Sequence, residues 1–188
     1  MKVIAFNGSP RKDGNTAILI ETVFAELNQR GIETEMIPLA NREIRGCIAC
    51  MGCAKAKDRH CAVRKDAANE FIDHMLAADG IILGSPSYFQ DITAEMKALI
   101  DRAGFVARSN DRMFKHKVGA AVAAMRRSGA AYALNSMNQF FLANEMVIAG
   151  RALGIGGEKG DIRKDEEGMG LARSLGQRMA WILQKLHA

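Results

Sequence analysis

Two kinds of apolar run alternate along the chain. Val3–Phe6 is a short unbroken β-like run closed by Gly8-Ser9-Pro10. Between Thr16 and Arg30, the residues Leu19, Ile20, Val23, Phe24 and Leu27 fall on one helical stripe, and Gly31 is placed to end it as a C-terminal cap. Ile32–Leu39 reads as a second strand. After a cysteine-containing segment, Asp66–Ala78 is helical, with Phe71, Ile72 and Met75 on one face. Gly80–Ser85 reads as a buried strand, and Thr93–Val106 as a helix with Thr93 at its N-cap. Val118–Met125 is apolar throughout. Ala130–Ala143 is helical, Met146–Ala149 forms a last strand, and a glycine-rich stretch, Gly154–Gly160, leads to a final helix.

Strands and helices alternate strictly, and the strands are nearly continuous in apolar residues. That pattern belongs to a parallel sheet covered on both faces. Five strands fit an α/β doubly wound five-stranded parallel sheet of order 2-1-3-4-5 better than a closed eight-stranded barrel. Residues 1–188 are expected to form a single domain with a Cys-rich basic insert at about 42–65.

Composition sharpens this in one place. The chain has 188 residues and a net charge of +5. Arg42, Arg45, Lys55, Lys57, Arg59, Arg64 and Lys65 stand against Glu43 and Asp58, so the insert carries the whole excess and the remainder balances. A nucleic-acid binder would usually spread its basic residues over a face, so none is expected as a partner. No apolar run approaches the ~18 residues of a membrane span. The N-terminus lacks the features of a secretory signal, and the expected address is cytoplasmic.

In such a sheet, ligands bind outside the carboxyl ends of the strands, where the first and third strands diverge. The loop after the first strand reads GSPRKDGNT. Ser9, Asn15 and Thr16 offer short side chains, Arg11 adds positive charge, and Gly14 permits a tight turn into a helix N-terminus. This suits a monophosphate; the alternative is an ordinary turn with a capped helix. It is neither a P-loop nor a GxGxxG fingerprint. The loop after the third strand presents Pro86, Ser87, Tyr88 and Phe89, and its aromatics suit a flat ring beside the phosphate. The loop after the fourth strand, Met125–Gly129, walls the same cleft with Arg126 and Gly129.

Cys47, Cys50, Cys53 and Cys61 follow a C-x2-C-x2-C-x7-C spacing. Three cysteines at x2 intervals are usual for iron–sulfur loops, and all four would be needed for one [4Fe-4S] cluster. A zinc site and plain thiols or disulfides are the rival readings. The four histidines are scattered and pair with no nucleophile.

GSPRKDGNT, CIACMGC with Cys61, GSPSYFQDITAEMKALIDR and GDIRKDEEGMGLARSLG together resemble the NADPH-dependent FMN reductase branch of the flavodoxin-like proteins, and within it the iron–sulfur flavoproteins. The resemblance implies FMN, with its phosphate at Ser9, Arg11, Asn15 and Thr16 and its ring against Pro86–Phe89. It also implies a homodimer or homotetramer with the flavin near a subunit interface. The function expected is an FMN-dependent oxidoreductase. It would exchange electrons between FMN and a [4Fe-4S] cluster, or reduce flavin or quinone with NAD(P)H. The donor or acceptor would be NAD(P)H or an acidic ferredoxin-type carrier. The alternatives are a flavodoxin-like electron carrier and a zinc-bearing interaction module without turnover.

Overall fold

The computed structural model describes residues 1–188. Five strands form one sheet: β1 (Lys2–Asn7), β2 (Glu33–Pro38), β3 (Gly80–Pro86), β4 (Val118–Met125) and β5 (Val147–Ile155). All pair in parallel, in the expected order β2-β1-β3-β4-β5. Helices α1 (Asn15–Asn28) and α6 (Glu166–Leu186) cover one face. Helices α3 (Ala68–Ala77), α4 (Ala94–Ser109) and α5 (Ala130–Ala143) cover the other. Leu19, Ile20, Val23, Leu175 and Met179 fill the first interface; Phe71, Ile72, Met96, Leu99 and Phe141 fill the second. Each such side chain, fully withdrawn from water, contributes about 1.5–3 kcal/mol.

Gly31 ends α1 as expected. It adopts φ +73°, its N–H donates to Asn28 O at 3.0 Å, and the Ile32 N–H donates to Leu27 O at 3.2 Å. Those are the two bonds of a Schellman motif, and Leu27 and Ile32 are both buried beside it.

The last strand differs from expectation. It runs from Val147 to Ile155 rather than ending at Ala149, and so takes in the start of the glycine-rich stretch. The register along β4 skips one residue, Gly119 facing Ile148 and Ala120 facing Gly150. Ala149 is therefore the extra residue of a bulge, and Gly150 takes φ +137°. The bulge resets the in–out alternation, which hides the second half of the strand from a period-two reading.

Between β2 and α3 lies a segment without strands, containing only the short helix α2 (Gly52–Ala56). It holds the four cysteines, and a buried arginine is one of the side chains that fasten it. Arg102, on α4, is 2% exposed, yet all five of its N–H groups are used. Nη1 donates to Arg45 O (3.0 Å) and Asp66 Oδ2 (2.9 Å). Nη2 donates to Val63 O (2.8 Å) and Asp66 Oδ1 (3.1 Å), and Nε donates to Cys61 Sγ (3.0 Å). Burial would raise the Asp66 carboxyl pKa, but the Arg102 bonds and the N–H groups of Arg45 and Ala68 outweigh it and hold it below the ordinary carboxylate value.

Replacing Arg102 by Met should leave Asp66 charged, buried and unpaired, and should cost about 3–5 kcal/mol in a denaturant titration. Asp66 has a lowered folded pKa, so its stabilisation is present above the unfolded value of about 3.9. It is lost as pH falls through the folded value. The wild type should therefore lose its advantage over Arg102→Met/Asp66→Leu in that acid window.

Candidate functional site

The carboxyl ends of the strands are stitched together by backbone bonds. The Gly8 N–H donates to Gly84 O (2.7 Å), the Ser87 N–H to Ala124 O (2.8 Å), and the Gly156 N–H to Met125 O (2.8 Å). Thr93 joins two of these loops. Its hydroxyl donates to Gly8 O (2.9 Å), its N–H donates to Ser85 Oγ (3.1 Å), and its Oγ1 caps α4 by accepting from the Met96 N–H.

The β1–α1 loop is folded by its own polar groups. Asn7 Oδ1 accepts from the Ser9 N–H (3.0 Å), and Ser9 Oγ accepts from the Arg11 N–H (3.1 Å). These bonds curl the loop over the start of α1. That helix has no side-chain cap and no acid in its first turn, so the N–H groups of Asn15, Thr16 and Ala17 lack intrahelical partners. Thr16 is 1% exposed, and its Oγ1 is buried without any hydrogen-bond partner. An unpaired buried hydroxyl costs about 1–3 kcal/mol. The hydroxyl, the free helix amides and the dipole all favour an anion at this point. The loop's one carboxylate, Asp13, is paired with Lys159, whose hydrogen bond holds its pKa below the ordinary value. Arg11 is exposed and makes no ion pair.

Asn15 has a different part from the one expected of a phosphate donor. Its Nδ2 donates to Gly156 O (3.1 Å) and Glu158 O (2.9 Å), and its Oδ1 accepts from the Gly160 N–H (2.9 Å). The side chain is a strut between the first loop and the loop after β5; only its backbone N–H faces the helix N-terminus. Sequence reasoning missed this fourth loop, because its glycines carry no side chain that points to a site. Arg126 is exposed and lies alongside Gly157 of that loop.

The β3–α4 loop turns tightly. Tyr88 and Asp91 exchange backbone bonds, and the two residues between them, Phe89 and Gln90, have φ +45° and +79°. A bulky residue at positive φ is uncommon, and here it turns the Phe89 ring wholly into solvent. Tyr88 is half exposed. Ser87 packs on Gly129, where a Cβ would stand 2.2 Å from Ser87 Oγ, and Gly129 also has φ +92°. Gln90 reaches Ser128 Oγ at 3.2 Å. The structure therefore brings Ser87 and Gln90 of this loop against Gly129.

The four cysteines line one cavity together with Ile48, Val63, Arg102 and Phe105. Cys61 is buried, Cys47 and Cys53 are half-buried, and Cys50 is exposed; none is in a disulfide. No three Cys, His, Asp or Glu side chains are drawn to the spacing of one bound ion. On the surrounding surface, Arg42, Arg45 and Arg64 pair with Glu70, Glu43 and Asp58, whereas Lys55, Lys57, Arg59 and Lys65 make no ion pair. Arg102 was not singled out from the sequence. A charge among Leu99, Ala103 and Val106 on an apolar stripe was the available signal, since such a charge needs a buried partner.

A family model described as NADPH-dependent FMN reductase matches residues 1–159. The chain belongs to that family. It is accordingly an FMN-dependent flavoprotein oxidoreductase. An iron-sulfur flavoprotein of Methanocaldococcus jannaschii is 37% identical, with 98% of each chain covered. An iron-sulfur flavoprotein of Methanosarcina thermophila is 34% identical over 84% of this chain and 81% of its own. Among solved structures, an NAD(P)H:quinone oxidoreductase from Methanothermobacter marburgensis matches with a TM-score of 0.69 at 16% identity, covering 95% of this chain and 96% of its own. A flavodoxin from the domain Archaea matches with a TM-score of 0.62 at 16% identity, covering 98% and 99%. These two share the fold of this FMN reductase family member. No helix is long and apolar enough to cross a membrane.

Asn15→Ala should release the loop at 156–160 while leaving the sheet intact. With three hydrogen bonds lost, each worth about 0.5–1.5 kcal/mol, the expected cost is roughly 1.5–4.5 kcal/mol. Hydrogen exchange at the Gly160 amide should accelerate well above that of β4 amides; equal acceleration in both would show that the strut is not local.

Proposed function

We propose that FMN is bound with its phosphate at the start of α1, against Ser9, Arg11, Gly14, Thr16 and the Asn15 backbone. Its ring then lies by Pro86, Ser87, Tyr88, Phe89 and Gly129, with Arg126 at the outer rim. The observation that carries this reading is the buried, partnerless Thr16 hydroxyl beside an uncapped helix N-terminus. Both lack a partner that one phosphate oxygen cluster would supply.

Cys47, Cys50, Cys53 and Cys61 hold one [4Fe-4S] cluster on this reading. Their shared cavity supports it. Four sulfurs around one cavity can each cap one iron of such a cube. The names of the two archaeal relatives point the same way. FMN takes up a hydride or single electrons, and the cluster passes one electron at a time, so the pair links two-electron and one-electron partners. The protein's own residues bind, orient and shield. The electron partner is NAD(P)H or an acidic ferredoxin-type carrier, the latter attracted by the unpaired Lys55, Lys57, Arg59 and Lys65. A second copy of the chain, in a homodimer or homotetramer, covers the exposed Phe89 ring.

Thr16→Val keeps the shape and removes the hydroxyl. It should weaken FMN binding roughly 10- to 100-fold, as expected for a lost bond to a charged group worth about 1.5–3 kcal/mol. Riboflavin, which lacks the phosphate, should bind the wild type and the variant equally weakly. A parallel loss for both ligands in calorimetry would remove the phosphate from this position.

Anaerobic reconstitution should give about four irons per chain, the content of one cube. Cys50→Ser should lose most of that iron and keep its FMN, because Cys50 lies outside the phosphate loop. Stoichiometric zinc in the wild type, with no visible charge-transfer absorbance beyond the flavin, would favour the interaction-module reading instead.

A further inference from the structure

The four cysteines are not equivalent in their surroundings. Cys61 Sγ accepts a charge-assisted hydrogen bond from Arg102 Nε at 3.0 Å. Its backbone is clasped from both sides by Asn69, whose Oδ1 accepts from the Cys61 N–H (2.7 Å) and whose Nδ2 donates to the Cys61 carbonyl (3.0 Å). The other thiols have little of this. Cys47 Sγ accepts from the Ala49 N–H at 3.4 Å, Cys53 Sγ makes long contacts to Ser109 Oγ (3.8 Å) and Phe105 O (4.0 Å), and Cys50 is exposed.

The guanidinium that touches Cys61 also grips both ends of the cysteine segment. Arg45 O lies two residues before Cys47, and Val63 O two residues after Cys61. Asp66 neutralises it from the side away from the sulfur, with both side chains 1% exposed. Inside the protein the effective dielectric is low, so a fixed cation in hydrogen-bond contact with one ligand sulfur acts strongly and is little screened by salt. Hydrogen bonds to cluster sulfurs, net charge and burial are the general means by which a protein sets such a centre's potential.

We propose that Arg102 is a positioning and tuning residue for the cysteine centre. Through its Nε–H bond it withdraws charge from the Cys61 sulfur and raises the reduction potential of the bound iron–sulfur group. Through its remaining four N–H groups it holds the segment in shape before the metal arrives. Asp66 opposes the first effect and is indispensable to the second. The proposal rests on the cysteines holding a cluster, and it adds to that reading which corner is tuned and by what.

The test uses the full-length FMN-loaded protein, reconstituted anaerobically with iron and sulfide. The cluster's midpoint potential is measured by a redox titration followed by electron paramagnetic resonance, with FMN content as a check on the fold. Arg102→Gln, which removes the cation, should shift the midpoint to a more negative value. Asp66→Asn, which leaves the Nε–Sγ bond in place and removes the opposing charge, should shift it to a more positive one. Arg102→Gln/Asp66→Asn keeps a neutral, hydrogen-bonding pair, and so remains informative where either single change prevents folding. Its midpoint should still fall, because the cation is the nearer of the two charges to the sulfur. In apo-protein, limited proteolysis should cut the wild-type segment more slowly than that of Arg102→Gln or of the double variant. A purely structural arginine would alter iron content and proteolysis while every loaded variant kept the wild-type midpoint, and that result would overturn the proposal. Failure of the wild type to take up any iron would remove the cluster reading and the proposal with it. Iron uptake with unmoved potentials would remove the proposal alone.

Discussion

Parallel pairing governs this molecule. Every strand points the same way, so all five carboxyl ends reach one edge of the sheet, and the chain must return to the opposite edge through a helix each time. The loops after β1, β3, β4 and β5 meet there without any of them having been selected to meet. Gly8 bonds to Gly84, Ser87 to Ala124, and Gly156 to Met125, which follows the sheet order outward from the centre. That edge of the sheet, assembled from four loops, is thus held by backbone bonds.

The cysteine segment stands outside that scheme. It belongs to no strand pair, and its only regular element is the short α2. What holds it is side chains in place of a ladder of backbone bonds: the Arg102 guanidinium, saturated with five acceptors, the Asn69 clasp on Cys61, and Asn110 Oδ1 accepting from the Arg59 N–H. The arrangement is demanding, because a buried ion pair is stabilising only when nearly every lone pair and proton is used. Here Asp66 accepts from Arg102, Arg45 and Ala68, and Arg102 has no donor left over. A loop of irregular backbone thereby acquires a defined position against α4.

Much of this was legible from residue patterns. The parallel, doubly covered sheet followed from strict alternation and unbroken apolar strands, its order was the best fit to five strands, and the Gly31 stop and Thr93 cap were each visible as single residues. The four cysteines were visible as a group, and the structure places them around one cavity. Other features depend on contacts far apart in sequence and leave no local mark. Asn15 looked like a phosphate donor because it follows Gly14 at a helix start, yet its side chain is spent 141 to 145 residues away. The second half of β5 was hidden by a bulge at Ala149 that breaks the alternation on which a strand is recognised. Arg102 does leave a local mark, a charge within the otherwise apolar stripe of α4, but its partners Arg45, Cys61, Val63 and Asp66 lie on another segment.

The Asn15 strut has a consequence for how the chain comes into being. The β1–α1 loop is synthesised well before its tether at Gly156, Glu158 and Gly160. During translation, N-terminal segments are generally made and begin to organise first. This loop cannot take its final shape in that order. Its side-chain tether can form only once the fifth strand has added to the edge of the sheet, so closing this loop is a late, long-range step that waits on β5.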